Sequence, residues 1–541
     1  MPATPASHVA IIGAGISGVV TAAHLKKAGV DVTVFERTGK PGGVWAYDER
    51  QPLEPDYPSV AASVASDIPK ARWRASQQIR DDSQMSDLGT APPGKTIVDE
   101  NPRPCYRDLT TNVHRDMMQT TLLPFPEGTG DYSNHSVMAA YISEIIKVAG
   151  VEESIRYRTL VENATKQDSK WKVTARDLTR QENGGETFVR TTPSRRQKFN
   201  VAEIVQEFDA VVVANGHYHA PRVPDIPGLV EWKTRYPTRV QHSKSYRVPE
   251  AFEGKNVLLI GSGTSSTDIA KEISPYAKSI WQTSRGGDFD FPATVLPANA
   301  KRIGDVASFD LPAADADVLS GSDTGSDTGS SSGSDASERS GAIPGTITLK
   351  SGHKLCDIDH VIVATGYHVT LPFLRSHHRD DLRPEEADDK VIVTDGSQYH
   401  NLHKDIWYIA DPSLVFIGVP YFTATYSLFE FQAKFVAAVL SGGATLPSEE
   451  EMRKEYQARV QAKGYGKKFN SLKFVEIEYV NEILGWINKQ LVERGRQPIA
   501  PHTPAFVAAK EGVYERVKSL LGGGRGSQPA PQVPDEWFPA C

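Results

Sequence analysis

The stretch HVAIIGAGISGVVTAAHLKKAGVDVTVFE, residues 8–36, decides the fold. A β-branched run, His8–Ile12, leads into Gly13-Ala-Gly15-Ile-Ser-Gly18, then a helical run to Lys27 and a second strand pattern ending at Glu36. Each glycine has its own task in a strand–turn–helix unit that binds a dinucleotide. Gly13 permits the tight turn, Gly15 lets backbone N–H groups approach a pyrophosphate, and Gly18 lets helix and strand pack closely. The helix N-terminus adds partial positive charge. Glu36, 18 residues past Gly18, is placed to accept hydrogen bonds from ribose hydroxyls.

The same unit returns further along. NVLLI, residues 256–260, is followed by Gly261-Ser-Gly263-Thr264-Ser265-Ser266 and another helical run. Ser266 holds the third glycine position, which tolerates small residues because its task is close packing. The next strand pattern, SIWQTSR, ends without an acid; Ser284 and Arg285 stand there instead. An arginine suits a 2′-phosphate where an acid would suit a 2′-hydroxyl, so this second site is expected to take NADPH, through Gly261, Gly263, Thr264, Ser265, Ser266 and Arg285. Two nucleotide sites in one chain imply electron transfer between two cofactors.

Between these units, short β-branched runs such as AVVVA (210–214) and HVIVA (360–364) alternate with helical patterns, as in parallel sheets with crossover helices. The expected class is α/β: two Rossmann-like dinucleotide-binding domains, the NADPH domain inserted into the domain of the first site. The expected division is a first-site part over 1–220, an NADPH-binding part over 221–362, a second first-site part over 363–510 and a loose tail over 511–541. Two polar insertions interrupt this plan. One covers about 51–103. The other, about 305–345, includes SGSDTGSDTGSSSGSDASERSG (320–341), which has no bulky apolar residue to bury and reads as disordered.

Composition narrows the partners. A net charge of -7 offers no basic field for nucleic acid. Cys105, Cys356 and Cys541 lie far apart, with no CxxC pair, which argues against a disulfide framework and a thiolate metal site; no metal is expected. The amino terminus enters a strand pattern at once, without the layout of a secretory leader. No run of about 20 apolar residues occurs. A cytoplasmic enzyme is the expectation, and a homodimer is one expected form.

Several further segments carry a family resemblance. Pro41-Gly42-Gly43-Val44-Trp45 resembles the turn that covers the flavin in class B flavoprotein monooxygenases. Tyr236-x-Thr238-x-x-x-His242-x-x-x-Tyr246 is similar to the flavin-containing monooxygenase motif, with Tyr for Phe and Thr for Gly. Ala364-Thr-Gly-Tyr367 and Ala214-Asn-Gly-His-Tyr218 resemble that family's crossings between domains, and Leu109-Thr-Thr111-Asn112-Val113 resembles its active-site loop. The chain is similar to soluble fungal members. The resemblance implies FAD held by Gly13, Gly15, Gly18, Glu36, Gly43, Val44, Trp45, Thr111, Asn112 and Gln432, with Glu430 and Gln432 on a helix whose start approaches the flavin.

It also implies a C4a-hydroperoxyflavin, protected by retained NADP+, that passes one oxygen atom to sulfur or nitrogen of a small molecule. Asn112 would hold NADP+ and the flavin adduct in register as the catalytic side chain, since an amide donates and accepts at once. His242 is expected to organise the link between domains. Tyr246 stands where Baeyer–Villiger enzymes usually carry tryptophan. A Baeyer–Villiger or carbon-hydroxylating monooxygenase, a two-nucleotide reductase and a nonenzymatic nucleotide sensor stay open. The insertions suggest a specialised metabolic role; the substrate is unassigned.

Overall fold

The computed structural model describes residues 5–65, 101–178, 189–192, 195–197, 203–287, 289–312 and 341–520. Most of the first polar insertion, residues 313–340 of the second, and residues 521–541 lie outside them.

The chain builds two parallel-type sheets. In the larger, seven strands run in the order Leu402–His403, Trp407–Tyr408, Leu414–Phe416, Ala210–Val213, His8–Ile12, Asp31–Phe35 and Ile155–Arg156. Both ends of the sequence therefore contribute to it. His8–Ile12 pairs in parallel with Asp31–Phe35 on one side and Ala210–Val213 on the other. The smaller sheet is wholly parallel, in the order Val240–His242, His360–Val363, Asn256–Ile260, Ser279–Thr283 and Ala300–Ile303. It lies within the chain between two strands of the larger sheet, so the inserted two-Rossmann architecture is present.

The helix Ile16–Lys27 follows the first strand directly across Gly13–Gly15. Every residue from Ile16 to Leu25 is buried, because the larger sheet lies on one side and the helices His135–Val148 and Thr425–Leu440 lie on the other. A helix enclosed on all sides needs small or apolar residues, and ISGVVTAAHL supplies them except at His24, whose ring bonds buried Glu430. Thr425–Leu440 is buried from Tyr426 to Leu440 apart from Lys434.

Two crossings join the sheets, and they are zipped to one another. Pro221 and Tyr367 form an antiparallel bridge. Arg222 N donates to Gly366 O at 2.8 Å, and His368 N donates to Ala220 O at 2.8 Å. The stretch 51–65 adds further stitches. Glu54 accepts from His242 N at 3.1 Å and Lys233 Nζ at 3.2 Å and also from Ser245 Oγ. Ser59 Oγ accepts from Val223 N at 2.6 Å.

Two expectations need correction. The second insertion does not begin at 305: Val306–Asp310 pairs antiparallel with Thr346–Leu349. Val306, Phe309, Ile343, Ile347 and Leu349 are buried there, and that apolar surface offsets the ordering entropy that the polar centre of the segment cannot. The tail does not begin at 511, because Pro504–Leu520 is a helix anchored by buried Phe506 and Lys510. Cys105 is a free, buried thiol, and burial pushes it up to about 12.

Candidate active site

Both glycine loops emerge at the carboxyl ends of their parallel strands, where such sheets bind ligands. At the first loop Gly13 has φ +109, and a Cβ there would stand 2.5 Å from Ala214 O. At the second, Gly261 has φ +107, and a Cβ would stand 2.7 Å from Ala364 O. The two crossings flagged in the sequence therefore do the same thing twice. Each carries its chain off the neighbouring strand by pressing a carbonyl onto the first glycine of the loop. Ala214 N donates to Ile12 O at 3.0 Å and Ala364 N to Ile260 O at 2.8 Å, which completes the correspondence.

The remaining space suits phosphates. A Cβ on Gly15 would lie 3.5 Å from Gly43 Cα, and one on Gly43 (φ +57) would lie 3.0 Å from Gly15 Cα. These two glycines face each other, leaving backbone where side chains would fill the cradle. Gly15 caps the helix with no side-chain bond, and the first helical turn has no acid. Its N–H groups are therefore available to an anion. Val44 and Trp45 complete the short turn after Gly43, and Trp45 meets Tyr426 edge-on with centroids 6.3 Å apart. At the second loop, nothing stands within 4 Å of a Cβ built on Gly263. Thr264 and Ser265 are exposed in the first turn of the following helix.

Glu36 is buried beneath the first loop. Its Oε2 accepts from Ala14 N at 2.8 Å. Its Oε1 accepts from Thr38 N at 2.9 Å, Thr38 Oγ1 at 2.8 Å and Arg103 Nη2 at 2.6 Å. Burial opposes its charge, but Arg103 and these hydrogen bonds outweigh burial and hold the carboxyl below its usual range. Each carboxylate oxygen offers about two lone-pair positions, and Oε2 has a single donor, so one position on Oε2 is left for a ribose hydroxyl. Arg103 escaped the sequence reading because it lies inside the polar insertion.

Asn112 is exposed, and its side chain has no hydrogen-bond partner among the described residues. Its backbone is held firmly all the same. Thr111 N donates to Ser133 O at 2.9 Å, and Ser133 N donates to Thr111 Oγ1 at 3.1 Å. Arg285, at the end of Ser279–Thr283, is likewise exposed without a hydrogen-bond or ion-pair partner among the described residues.

Two residues expected at the cofactors also bond internally. Gln432 Oε1 accepts from Gly418 N at 3.0 Å, and its Nε2 donates to Tyr479 Oη at 3.0 Å. Fully buried, it fixes the turn before the helix, and each end of its amide keeps one further hydrogen-bonding position. Ser266 is also fully buried, its hydroxyl accepting from Gln282 Nε2 at 2.8 Å, so it serves the packing task of the third position. Gly18 serves that task in the first loop. Glu430, beside Gln432, ties three elements together. It accepts from His24 at 3.0 Å and Thr121 N at 2.8 Å, with Lys434 at 3.4 Å. Burial would raise this carboxyl, but those partners hold it down to about 2.

His242 is structural. It is fully buried, its Nδ1 accepts from Lys244 N at 3.1 Å, and its ring meets Tyr367 edge-on at 5.4 Å. Burial, with Lys244 adding to it, depresses the imidazole to about 3, so it stays neutral. The motif's closing aromatic, Tyr246, donates to Glu272 at 2.8 Å and meets Tyr106 edge-on at 5.3 Å. Tyr106 in turn donates to Asp268 at 3.3 Å.

Burial pushes Glu272 up to about 7, against the hydrogen bond from Tyr246 and with Asp108 and Asp268 raising it further. A carboxyl that binds its proton more tightly when folded contributes stability at low pH. That contribution is lost as pH rises from the ordinary carboxyl range through about 7. Glu272→Gln keeps an acceptor for Tyr246 and should flatten that decline, raising Tm by a few degrees at about pH 8 and little at about pH 5. Thermal unfolding at both values checks this, and an unchanged decline in the variant would exonerate Glu272.

The flavin-binding monooxygenase-like family model matches residues 84–292 and 344–491, and an NAD(P)-binding Rossmann-like model matches residues 11–67. The chain is 38% identical over 536 residues to the flavin-containing monooxygenase ustF2 of Aspergillus flavus, covering 95% of this chain and 98% of that protein. It is 29% identical over 523 residues to the flavin-containing monooxygenase iboF of Amanita muscaria, covering 92% and 90%. Among solved structures, S-allyl-L-cysteine S-oxygenase from Allium sativum superposes with a TM-score of 0.62 at 24% identity, covering 95% and 94%; that likeness is one of fold. No helix among the described residues is long and apolar enough to cross a membrane.

Proposed function

We infer the reaction from membership: this chain belongs to the flavin-binding monooxygenase-like family. It is a flavin monooxygenase, and the family together with the Rossmann match supports FAD and NADPH as its cofactors. The finer reading is that NADPH is the physiological reductant and that one oxygen atom goes to a nitrogen or sulfur atom of a small molecule.

The observation that supports a second nucleotide as reductant is the duplicated contact of Gly13 on Ala214 and Gly261 on Ala364, two alike glycine turns in one chain, each of which would cradle a nucleotide. When bound, the flavin supplies the redox chemistry, accepting a hydride from the nicotinamide and activating oxygen. The residues of this chain bind and orient. The Gly15–Gly43 cradle and the helix N-terminus would hold the pyrophosphate of FAD, while the free position on Glu36 would take a ribose hydroxyl. Thr264, Ser265 and Arg285 would hold NADPH, Arg285 facing the 2′-phosphate. Asn112 would use both ends of its amide to fix the nicotinamide against the flavin. A nucleophilic heteroatom in the substrate needs no protein nucleophile, in keeping with a site whose free functional group is an amide.

Reduction by NADPH without oxygen, followed by admission of oxygen, tests the reading. The expected result is a flavin spectrum that stays distinct from the oxidised form until an amine or thioether is added, then returns with formation of the N- or S-oxide. Immediate return with stoichiometric hydrogen peroxide would overturn it in favour of an oxidase or reductase. Conversion of a ketone to an ester, with amines and thioethers inert, would move it to Baeyer–Villiger chemistry.

A further inference from the structure

We propose that the C-terminal helix Pro504–Leu520 holds the loop carrying Asn112, together with the start of the helix Thr425–Leu440, in the position that keeps water from the reaction, with Lys510 and Glu476 as positioning residues. The proposal rests on the reading of Asn112 given above. The helix lies beyond the last residue, 491, of the family match.

Three observations meet at this helix. Met117, Ala424 and Phe506 form a buried cluster, with Val113, Ile477, Ala509 and Val513 packed against it. Val113 adjoins Asn112, and Ala424 caps the helix Thr425–Leu440, so both sides of the candidate site lean on one apolar face. Beneath that cluster, Glu476 is fully buried. Its carboxylate accepts from Ala424 N at 2.9 and 3.2 Å, one distance to each oxygen, and forms an ion pair with Lys510 Nζ. Finally, His502 stacks on Phe506 at 3.8 Å and meets Phe431 at 4.4 Å, which sets the angle at which the helix enters.

A buried ion pair is a poor device for stability, since apolar residues of like volume do as well. It is a good device for position, because a carboxylate that gives up either partner leaves a charge unsatisfied. Here the partners are the C-terminal helix and the amide of Ala424. The segment they fix is under strain: Phe422 has φ +60, a conformation that a bulky residue keeps only when its surroundings impose it. Releasing Lys510 frees that segment and the loop 111–118 together. Water then reaches the site, and NADPH is spent on hydrogen peroxide.

The test compares wild type with Lys510→Met and with Glu476→Gln/Lys510→Met, using the full chain loaded with FAD. The double variant removes both charges and keeps an acceptor for Ala424 N, so it remains informative where the single variant does not fold. Amide exchange over 111–118 and 421–426 should quicken on the order of tenfold, the loss of one charge-assisted contact. Peroxide formed per NADPH should rise several-fold, with FAD affinity and NADPH oxidation per flavin unchanged. A folded double variant with wild-type exchange and wild-type coupling would overturn the proposal. Failure of the underlying reading is seen separately, as wild-type protein that already returns all its NADPH as peroxide.

Discussion

Gly18→Ala is expected to produce a chain that purifies without flavin, or does not accumulate at all. A Cβ on Gly18 would stand 1.9 Å from Gly13 O and 3.0 Å from Gly13 C. Both atoms are backbone, so no rotamer change relieves the clash; the helix Ile16–Lys27 has to move off the turn. That helix is enclosed by the sheet and by Thr425–Leu440, and overpacking in such a setting costs about 1–3 kcal/mol or more. Movement also carries the N–H groups of its first turn away from the Gly15–Gly43 cradle. Two controls separate space from glycine content as such. Gly29 (φ +80) has nothing within 4 Å of its Cβ, so Gly29→Ala meets only conformational strain. Gly263 is equally open at ordinary φ, so Gly263→Ala should fold, keep flavin and weaken NADPH. The ratio of flavin to protein absorbance, with Tm, reads all three. Normal flavin content in Gly18→Ala would mean that the close approach is not required.

The pattern of what could be read beforehand follows from the range of the interactions. Gly13 and Gly261 were legible because their backbone angles and the nearby carbonyl demand glycine, and the demand is written within a few residues. Insertion of one nucleotide unit in the other followed from where the same two motifs stand along the chain. Side-chain encounters between distant segments were not legible. Arg103 reaches Glu36 across 67 residues, and Thr121 reaches Glu430 across 309. Neither Arg103 nor Thr121 belongs to a local motif. Gln432 and Ser266 show a related limit: a polar residue in a ligand-binding segment has the same signature whether it faces the ligand or the protein. The tail was cut at 511 because the helix Pro504–Leu520 is held by a lysine buried against a glutamate, which looks from sequence like two surface charges.

The second large effect is expected at Asn112. Asn112→Ala should lower product formed per NADPH by about 100-fold, the scale of removing one oriented donor from a reacting site. Stability should change by no more than about 0.5 kcal/mol, since the side chain is exposed and unbonded. The backbone stays in place because Thr111 and Ser133 hold each other through two hydrogen bonds and Thr110 bridges Asn134. Loss of function would therefore report the amide and not the loop. Asn112→Asp sharpens the point: it keeps the shape and an acceptor but removes the donor and adds charge, so it should be as poor as alanine. Asn112→Ser, which retains a short donor, should recover part of the coupling. The measurement is a balance of NADPH consumed, peroxide released and oxygenated product, per bound flavin. If Asn112→Ala consumes NADPH at the wild-type rate and diverts it to peroxide, the amide protects the oxygenating step. If it slows NADPH oxidation itself, Asn112 acts in hydride transfer. Full coupling in the alanine variant would remove Asn112 from the mechanism, and with it the link between the C-terminal helix and catalysis.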